Sequence, residues 1–421
     1  MNKTFTVAII GVGNRGADRY GKIMTEELSE QFHVVALCDI NPDKLTKYAP
    51  RLGVPAEQCF TDEETFWQEK RADLCIIATP DALHTRMARR AIAVGYRYIL
   101  LEKPISADRE ELLTLEKEAE EAGATVMVCH VLRYTASTRK IRQILDAGKI
   151  GKLVMVDSLE QVAFWHFTHS FVRGNWRNTK ETSPSIIAKC CHDLDLMQYY
   201  AGAKCTAVSS MGSLTHFKAE NRPEGAADRC LDCPYKHTCS FSATRMYLDN
   251  WKLRGCKDMW PFSVITDKPL SEETITEALR LGDWGRCVYA CDNDAADNQA
   301  VLMQFENGVV ANLRMMAFTQ NGGRITRFFG TEGEIEYNET ENYIETRTYD
   351  MQKERVSLTS LADDLSGHGG GDTGLVHTVY DVLCGKSLPQ TSLSASVESH
   401  LMGIAAEESR LAGGALVQVH V

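Results

Sequence analysis

The feature that most constrains this chain is the run Gly11-Val12-Gly13-Asn14-Arg15-Gly16. It follows an apolar, β-rich stretch, residues 5–10, and opens a segment of helical character. A second apolar run, residues 34–37, leads to Asp39. Each part has a physical task in holding a dinucleotide. Gly11 permits the tight turn, Gly13 lets the backbone approach a pyrophosphate, and Gly16 lets helix and strand pack closely. Asn14 and Arg15 stand at the helix N-terminus, where free N–H groups and the helix dipole favour phosphate. Asp39 is placed to accept hydrogen bonds from ribose hydroxyls. A carboxylate there repels a 2′-phosphate, so NAD is expected over NADP.

The pattern continues beyond the fingerprint. Short apolar runs at 74–78, 98–101 and 125–129 each end a helical stretch, as in βαβ units feeding a parallel sheet. It fades near residue 130. From residue 152 strand-like runs follow one another, at 153–159, 300–305, 309–315 and 325–329, with Asn307-Gly308 as a hairpin signal between two of them. These predict an antiparallel or mixed sheet. A long insertion, about 222–297, carries cysteines, aromatic residues and a helical piece at 271–281. Helical patterns recur at 375–383 and 397–411, and the glycine-rich stretch 367–374 reads as a loop. At 421 residues the chain is too long for one ordinary core. The expected division is a dinucleotide-binding domain over 1–131 and a second domain over 132–421.

Charge and hydropathy narrow the partners. A net charge of −11 argues against a nucleic-acid partner, which needs a basic face. No run of about 18 apolar residues appears, so no membrane span is expected. The start, Met1-Asn2-Lys3-Thr4-Phe5, has none of the parts of an export signal, and a cytoplasmic location is expected. Most of the 14 cysteines then read as small buried apolar residues.

One group of cysteines is different. Cys230, Cys233 and Cys239 form a C-x-x-C knuckle with a third thiol close by, the spacing of a metal site. A fourth ligand closes such a site: Cys287 is the first choice, with Cys256 and Cys291 as alternatives. Structural zinc is preferred to an iron–sulfur cluster, on the expectation that the insertion lacks a large apolar shell.

Three further pieces carry a resemblance. Thr79-Pro80-Asp81-Ala82-Leu83-His84, Glu102-Lys103-Pro104 and His192-Asp193-Leu194-Asp195, with the fingerprint, resemble the glucose–fructose oxidoreductase, inositol dehydrogenase and rhizopine-catabolism (Gfo/Idh/MocA) family along almost the whole chain. Segments 170–177, 190–195, 366–374 and 399–411 resemble a bacterial subgroup of it. The resemblance implies an α/β Rossmann domain followed by an α+β domain with an open, mainly antiparallel sheet. It implies a nicotinamide cofactor and a carbohydrate between the two, with the far face of the sheet used for a homodimer or homotetramer. Thr79, Pro80, His84, Glu102 and Lys103 join the cofactor set by this route.

The resemblance also assigns the chemistry. Lys103 matches the lysine that faces substrate and nicotinamide ribose, His192 the acid/base histidine, and Asp195 the acidic residue one turn later. Pro104 follows a peptide bond that is cis in some relatives. Many relatives carry an aspartate four residues before the histidine. Here Ala188 stands there, with Lys189 beside it as a candidate to share the proton or oxyanion role. His169, Arg173, Trp176 and Arg177 fall in a segment that the subgroup places near the substrate. Arg133 and Tyr134 follow the last Rossmann strand, and His368 and Asp372 flank a glycine run suited to a substrate loop.

The function expected is oxidation or reduction at a CH–OH group of a sugar, polyol or glycoside. Two alternatives remain: a glycosidase that oxidises a ring carbon transiently so that the glycosidic bond is eliminated, and a redox-silent NAD- and sugar-binding regulator.

Overall fold

The computed structural model describes residues 3–362 and 366–420. Met1 and Asn2, part of the run read for an export signal, lie outside the described residues. Two sheets organise the chain. The first is parallel throughout, in the order β3-β2-β1-β4-β5-β6, from Phe5–Ile10 (β1), Phe32–Cys38 (β2), Cys59–Phe60 (β3), Leu74–Ile77 (β4), Tyr98–Leu101 (β5) and Thr125–Val128 (β6). Its central strands read as nearly unbroken apolar runs because helices cover both faces. The order reverses between β1 and β4, and the loops after those two strands hold the glycine fingerprint and Thr79. Open α/β sheets bind ligands at such a switch point.

The second sheet has nine strands. They are Leu153–Gln161 (β7), Cys205–Ser213 (β8), Asn298–Phe305 (β9), Val310–Met316 (β10), Gly323–Gly330 (β11), Gly333–Asn338 (β12), Tyr343–Thr348 (β13), Lys353–Ser357 (β14) and Val417–Gln418 (β15), in the order β14-β13-β12-β11-β7-β10-β9-β8-β15. Every pairing is antiparallel except β7 with β10. The hairpin joining β9 and β10 turns at Asn307-Gly308, with Gly308 at φ +85°, a left-handed conformation that glycine adopts without penalty. No helix among the described residues is long and apolar enough to cross a membrane.

Three departures from the sequence reading matter for the site. The helix Gly371–Leu383 belongs physically to the first domain: Leu375, Val376 and Val379 share a core with Val7, Ile9 and Leu37. A division at residue 131 leaves it out. The stretch read as a glycine loop is helical at Ser366–Gly369 and again from Gly371, with Gly369 and Gly370 at positive φ between the two. Finally, the insertion builds its own apolar core, including Met246, Tyr247, Trp251, Phe262, Ile275 and Leu279. Its helix, Glu272–Leu281, starts with a reciprocal capping box between Ser271 and Thr274.

Candidate active site

The glycine cradle forms as its spacing requires. A Cβ on Gly11 meets the Ala78 carbonyl group at 2.4 Å, and one on Gly16 meets the Gly11 carbonyl oxygen at 2.2 Å. In front of Gly13 there is nothing within 4 Å, which leaves the backbone open to a ligand. Asp39 Oδ2 accepts the Val12 N–H at 2.8 Å, tying the end of β2 to the fingerprint, and Oδ1 accepts the Asn41 N–H at 2.9 Å. Thr79 Oγ1 is buried with no hydrogen-bond partner. An open cradle, an uncapped helix start and an orphaned hydroxyl suit the oxygen-rich pyrophosphate and ribose of a dinucleotide. The Asp39→Ala variant should bind NAD roughly 10-fold more weakly and lose discrimination against NADP, since a hydrogen bond to a charged group contributes about 1.5–3 kcal/mol. Calorimetry that finds NADP binding tighter than NAD in the wild type contradicts that assignment.

The side chains of Arg15 and Glu102 pair with each other at 2.7 Å. Arg15 also forks onto Asp372, and Tyr20 donates to Glu102 at 2.6 Å. Burial raises the Glu102 pKa, but Arg15, Lys103 and Tyr20 outweigh it and hold the carboxyl below its ordinary value. This network ties the fingerprint helix to the strand end before Lys103 and to the helix Gly371–Leu383. His84 lies with one ring nitrogen against the Pro104 carbonyl and the other, at 2.8 Å, against the Thr79 carbonyl, so it staples the two cofactor-side loops.

Lys103 follows β5 and precedes a cis peptide bond to Pro104. Its ammonium donates to the Ala188 carbonyl at 3.0 Å and stands 6.0 Å from the centre of the Trp176 indole. The backbone of residue 188 thus receives the lysine where many relatives have a carboxylate. Trp176 is fixed in turn by a 2.7 Å hydrogen bond from its indole N–H to Asp81. His192 sits in the first turn of the helix Cys191–Ala201, buried, with Nδ1 unpartnered. Its neighbours are His130 at 5.7 Å and His368 at 6.1 Å between ring centres. Burial first, then the charge of Lys103 and the proximity of His130, push its pKa well below the ordinary value. A helix N-terminus acts in the same sense. These influences favour the neutral imidazole.

Lys189 is an ion-pair partner of Glu160 at 2.9 Å, and Glu160 also meets Arg324 at 3.1 Å. Arg324 forks onto Asp193 at 2.7 and 3.1 Å. Burial lowers the Lys189 pKa, but Glu160 more than restores it, so the amine stays an ammonium. It supplies a fixed positive charge, which suits the oxyanion part of the role expected of it better than the proton part.

Several residues expected on the substrate do other work. Arg133 and Asp195 form a buried two-point ion pair, both contacts 2.7 Å, and Arg133 also donates to the Gln390 carbonyl. They bolt the end of the first domain to the histidine helix. Tyr134 is buried against Thr391. His169 is enclosed in the insertion, bonded to Tyr247 at 2.7 Å and stacked on Trp284. Arg173 is wholly buried beside Cys230, and Arg177 pairs with Asp292 at 3.0 Å. Of the substrate set, Trp176 and His368 remain beside Lys103 and His192, with His368 oriented by Asp372 at 3.2 Å.

Sequence reasoning missed His130, His166, Glu160 and Arg324. Burial first, then Lys189, His169 and Lys103, push the His166 pKa well down, and its ring packs 5.0 Å from Trp260 of the insertion. Glu160 and Arg324 stand on the inward phase of β7 and β11, where a charge is the visible signal of a buried ion pair. Among the described residues, no group of three or more His, Cys, Asp or Glu side chains is arranged to hold a metal ion. The closed zinc site expected at Cys230, Cys233, Cys239 and Cys287 is not formed. Nor does the ground for preferring zinc hold, since the insertion has the apolar core that it was expected to lack.

The buried histidines make a pH prediction. His169 and His400 have pKa values lowered to about 3, by burial first and then by Arg173 and His130 respectively. A depressed folded value means that the unfolded chain takes up protons first as pH falls below about 6.5. Stability is full above that pH and is lost going down toward 3. Between pH 6.5 and 5 each histidine should cost about 2 kcal/mol. Urea unfolding at pH 7 and pH 5 checks this, and equal midpoints contradict it.

The fold and this cradle define an NAD-binding oxidoreductase of two domains. The Rossmann-fold profile of the NAD-binding oxidoreductase family matches residues 5–130, and the profile of its C-terminal alpha/beta domain matches residues 142–419. The chain belongs to the Gfo/Idh/MocA oxidoreductase family. It is 23% identical over 405 residues to YteT of Bacillus subtilis, named as an oxidoreductase, covering 90% of this chain and 91% of that one. It is 25% identical over 209 residues to an inositol 2-dehydrogenase of Corynebacterium glutamicum and 27% identical over 210 residues to a 2,7-anhydro-N-acetylneuraminate hydratase of Mediterraneibacter gnavus. Those two alignments cover 49% and 50% of this chain and only 57% and 53% of the relatives. Among solved structures, an Agrobacterium radiobacter oxidoreductase in complex with NAD+, L-tartaric acid and magnesium superposes over 99% of both chains with a TM-score of 0.70 and 14% identity.

Proposed function

We propose that this enzyme transfers a hydride between NAD and a CH–OH carbon of a sugar, polyol or glycoside, with Lys103 and His192 handling the hydroxyl and its proton. The observation that carries this reading is their juxtaposition: an ammonium anchored on the Ala188 carbonyl beside an imidazole that burial keeps neutral. NAD, when bound, accepts the hydride. The chain's own residues do the rest. His192 takes the hydroxyl proton as the C–H bond breaks, and the Lys103 ammonium stabilises the negative charge that develops on the oxygen before it becomes the carbonyl. Lys189, Arg324 and their carboxylates set the field around the site. The Trp176 indole offers a flat apolar face to a sugar ring. Gly11, Gly13, Gly16, Asp39 and Thr79 hold the dinucleotide.

A second reading keeps the same first step. A ketone formed beside a glycosidic or anhydro bond acidifies the neighbouring C–H, the bond is eliminated, and the hydride returns. The similarity to an anhydrosugar hydratase and the backbone carbonyl in place of the usual carboxylate favour keeping it. Product analysis separates the two: stoichiometric NADH for a dehydrogenase, cleavage or hydration without net NADH for the other. Assembly through the outer face of the nine-stranded sheet is a further part of the proposal. Val154, Leu302 and Met211 are half-exposed or more on its strands, and covering them removes apolar surface from water. Light scattering should find a dimer or tetramer, and a monomer at micromolar concentration contradicts it.

A further inference from the structure

The insertion holds a feature that hydride transfer does not use. Cys230, Cys233, Cys239 and Cys287 all line one pocket. The backbone brings them there. A short turn, Cys230–Asp232, sets the knuckle, and an isolated bridge between Arg229 and Arg286, with the Cys287 N–H bonded to the Asp228 carbonyl at 2.8 Å, lays the two segments side by side. Neither Cys256 nor Cys291 lines the cavity; the first is exposed, and the second donates its thiol to the Cys287 carbonyl.

The surroundings define the occupant. Arg173 is fully buried in the cavity wall, with Nη2 3.6 Å from Cys230 Sγ, and its other contacts are neutral: the carbonyl groups of Arg286 and Phe241 and the sulfur of Met246. Among the described residues it has no carboxylate partner, although a buried guanidinium without an anion is strongly unfavourable. Lys236 is the second cation of the lining, and no Asp or Glu contributes to it. Four thiols facing two cations, with no acid, call for an anionic centre made by the thiols themselves. A single zinc draws its four sulfurs to about 2.3 Å, converging on one point. The four thiols here line a common pocket but are not gathered on one point fit for a single ion.

We infer that Cys230, Cys233, Cys239 and Cys287 ligate an iron–sulfur cluster of the four-thiolate type, its negative charge balanced by Arg173. The cluster clamps the knuckle to the returning segment and seats the insertion whose Trp260 packs on His166. This inference stands apart from the proposed reaction.

Full-length protein purified without oxygen from iron-replete cells should carry about four iron and four acid-labile sulfide per chain, with broad visible absorbance. Cys233→Ser and Cys287→Ser should each lose most of the iron, whereas Cys256→Ser and Cys291→Ser keep it. About one zinc per chain with no sulfide overturns the inference, as does protein free of both metals. Iron retained by both Cys233→Ser and Cys287→Ser overturns the ligand set.

Discussion

Replacing Lys103 with methionine should lower kcat by at least roughly 10²-fold while NAD affinity stays within a few-fold of wild type. Methionine keeps the length and apolar body of the side chain, so the indole of Trp176 retains a packing partner and the cis junction to Pro104 is undisturbed. What is removed is the charge at the reacting oxygen. It donates to the Ala188 carbonyl at 3.0 Å, a contact that fixes its direction without neutralising it. An interaction made chiefly as the oxygen gains charge affects kcat more than KM. His192→Ala should show a loss of similar size, and its wild-type pH profile should stay flat near neutrality, because burial keeps the imidazole neutral there. Near-wild-type turnover of Lys103→Met removes the lysine from the chemical step.

The second large effect is on stability. Asp195→Ala should destabilise the folded protein by about 3–5 kcal/mol, the usual cost of leaving one half of a buried ion pair alone. Asp195 is 1% exposed and holds the Arg133 guanidinium by two contacts of 2.7 Å. Without it the cation stays buried between the end of the first domain and the histidine helix, with the Gln390 carbonyl and the Tyr199 ring face, but no carboxylate among its contacts with the described residues, to answer it. Asp195→Asn, which retains two polar atoms, should lose less. Chemical denaturation measures both. If instead Asp195→Ala unfolds like wild type and raises KM alone, the residue faces the substrate and the bolt described above does not exist.

Much of the fold was legible because its signals are local. The unbroken apolar strands of a parallel sheet and the glycine cradle are properties of a few adjacent residues, and β1 and β5 match their expected ends. The weaker strands escaped because half-exposed strands in a mixed sheet dilute their apolar runs, β8 with serine, threonine and glycine and β12 to β14 with charge. The site was only partly legible. Lys103, His192, Trp176 and His368 come together as the motifs suggest. Arg133, Asp195, Arg173 and Arg177 do not, because an arginine or aspartate in a segment near a pocket looks the same whether it meets a ligand or a partner from distant sequence. Arg133 and Asp195 are 62 positions apart, and nothing local records their pairing. His166 escaped for a related reason. His166 and His169 stand three positions apart in one helical run, and nothing local records which partners each ring meets.

In the proposed reaction hydride passes between the nicotinamide and a carbohydrate carbon under Lys103 and His192. The most direct test uses NADH carrying deuterium at the nicotinamide C4, incubated with the enzyme and a panel of keto-sugars and oxidised polyols whose binding a thermal-shift screen has established. Mass spectrometry of the products should find deuterium on the carbon bearing the new hydroxyl, matched by the NAD formed, with the transfer slowed at least roughly 10²-fold in Lys103→Met. Ligands that bind and raise the melting temperature, yet receive no deuterium and leave NADH unchanged, would contradict the account and make this protein a binder instead of a catalyst.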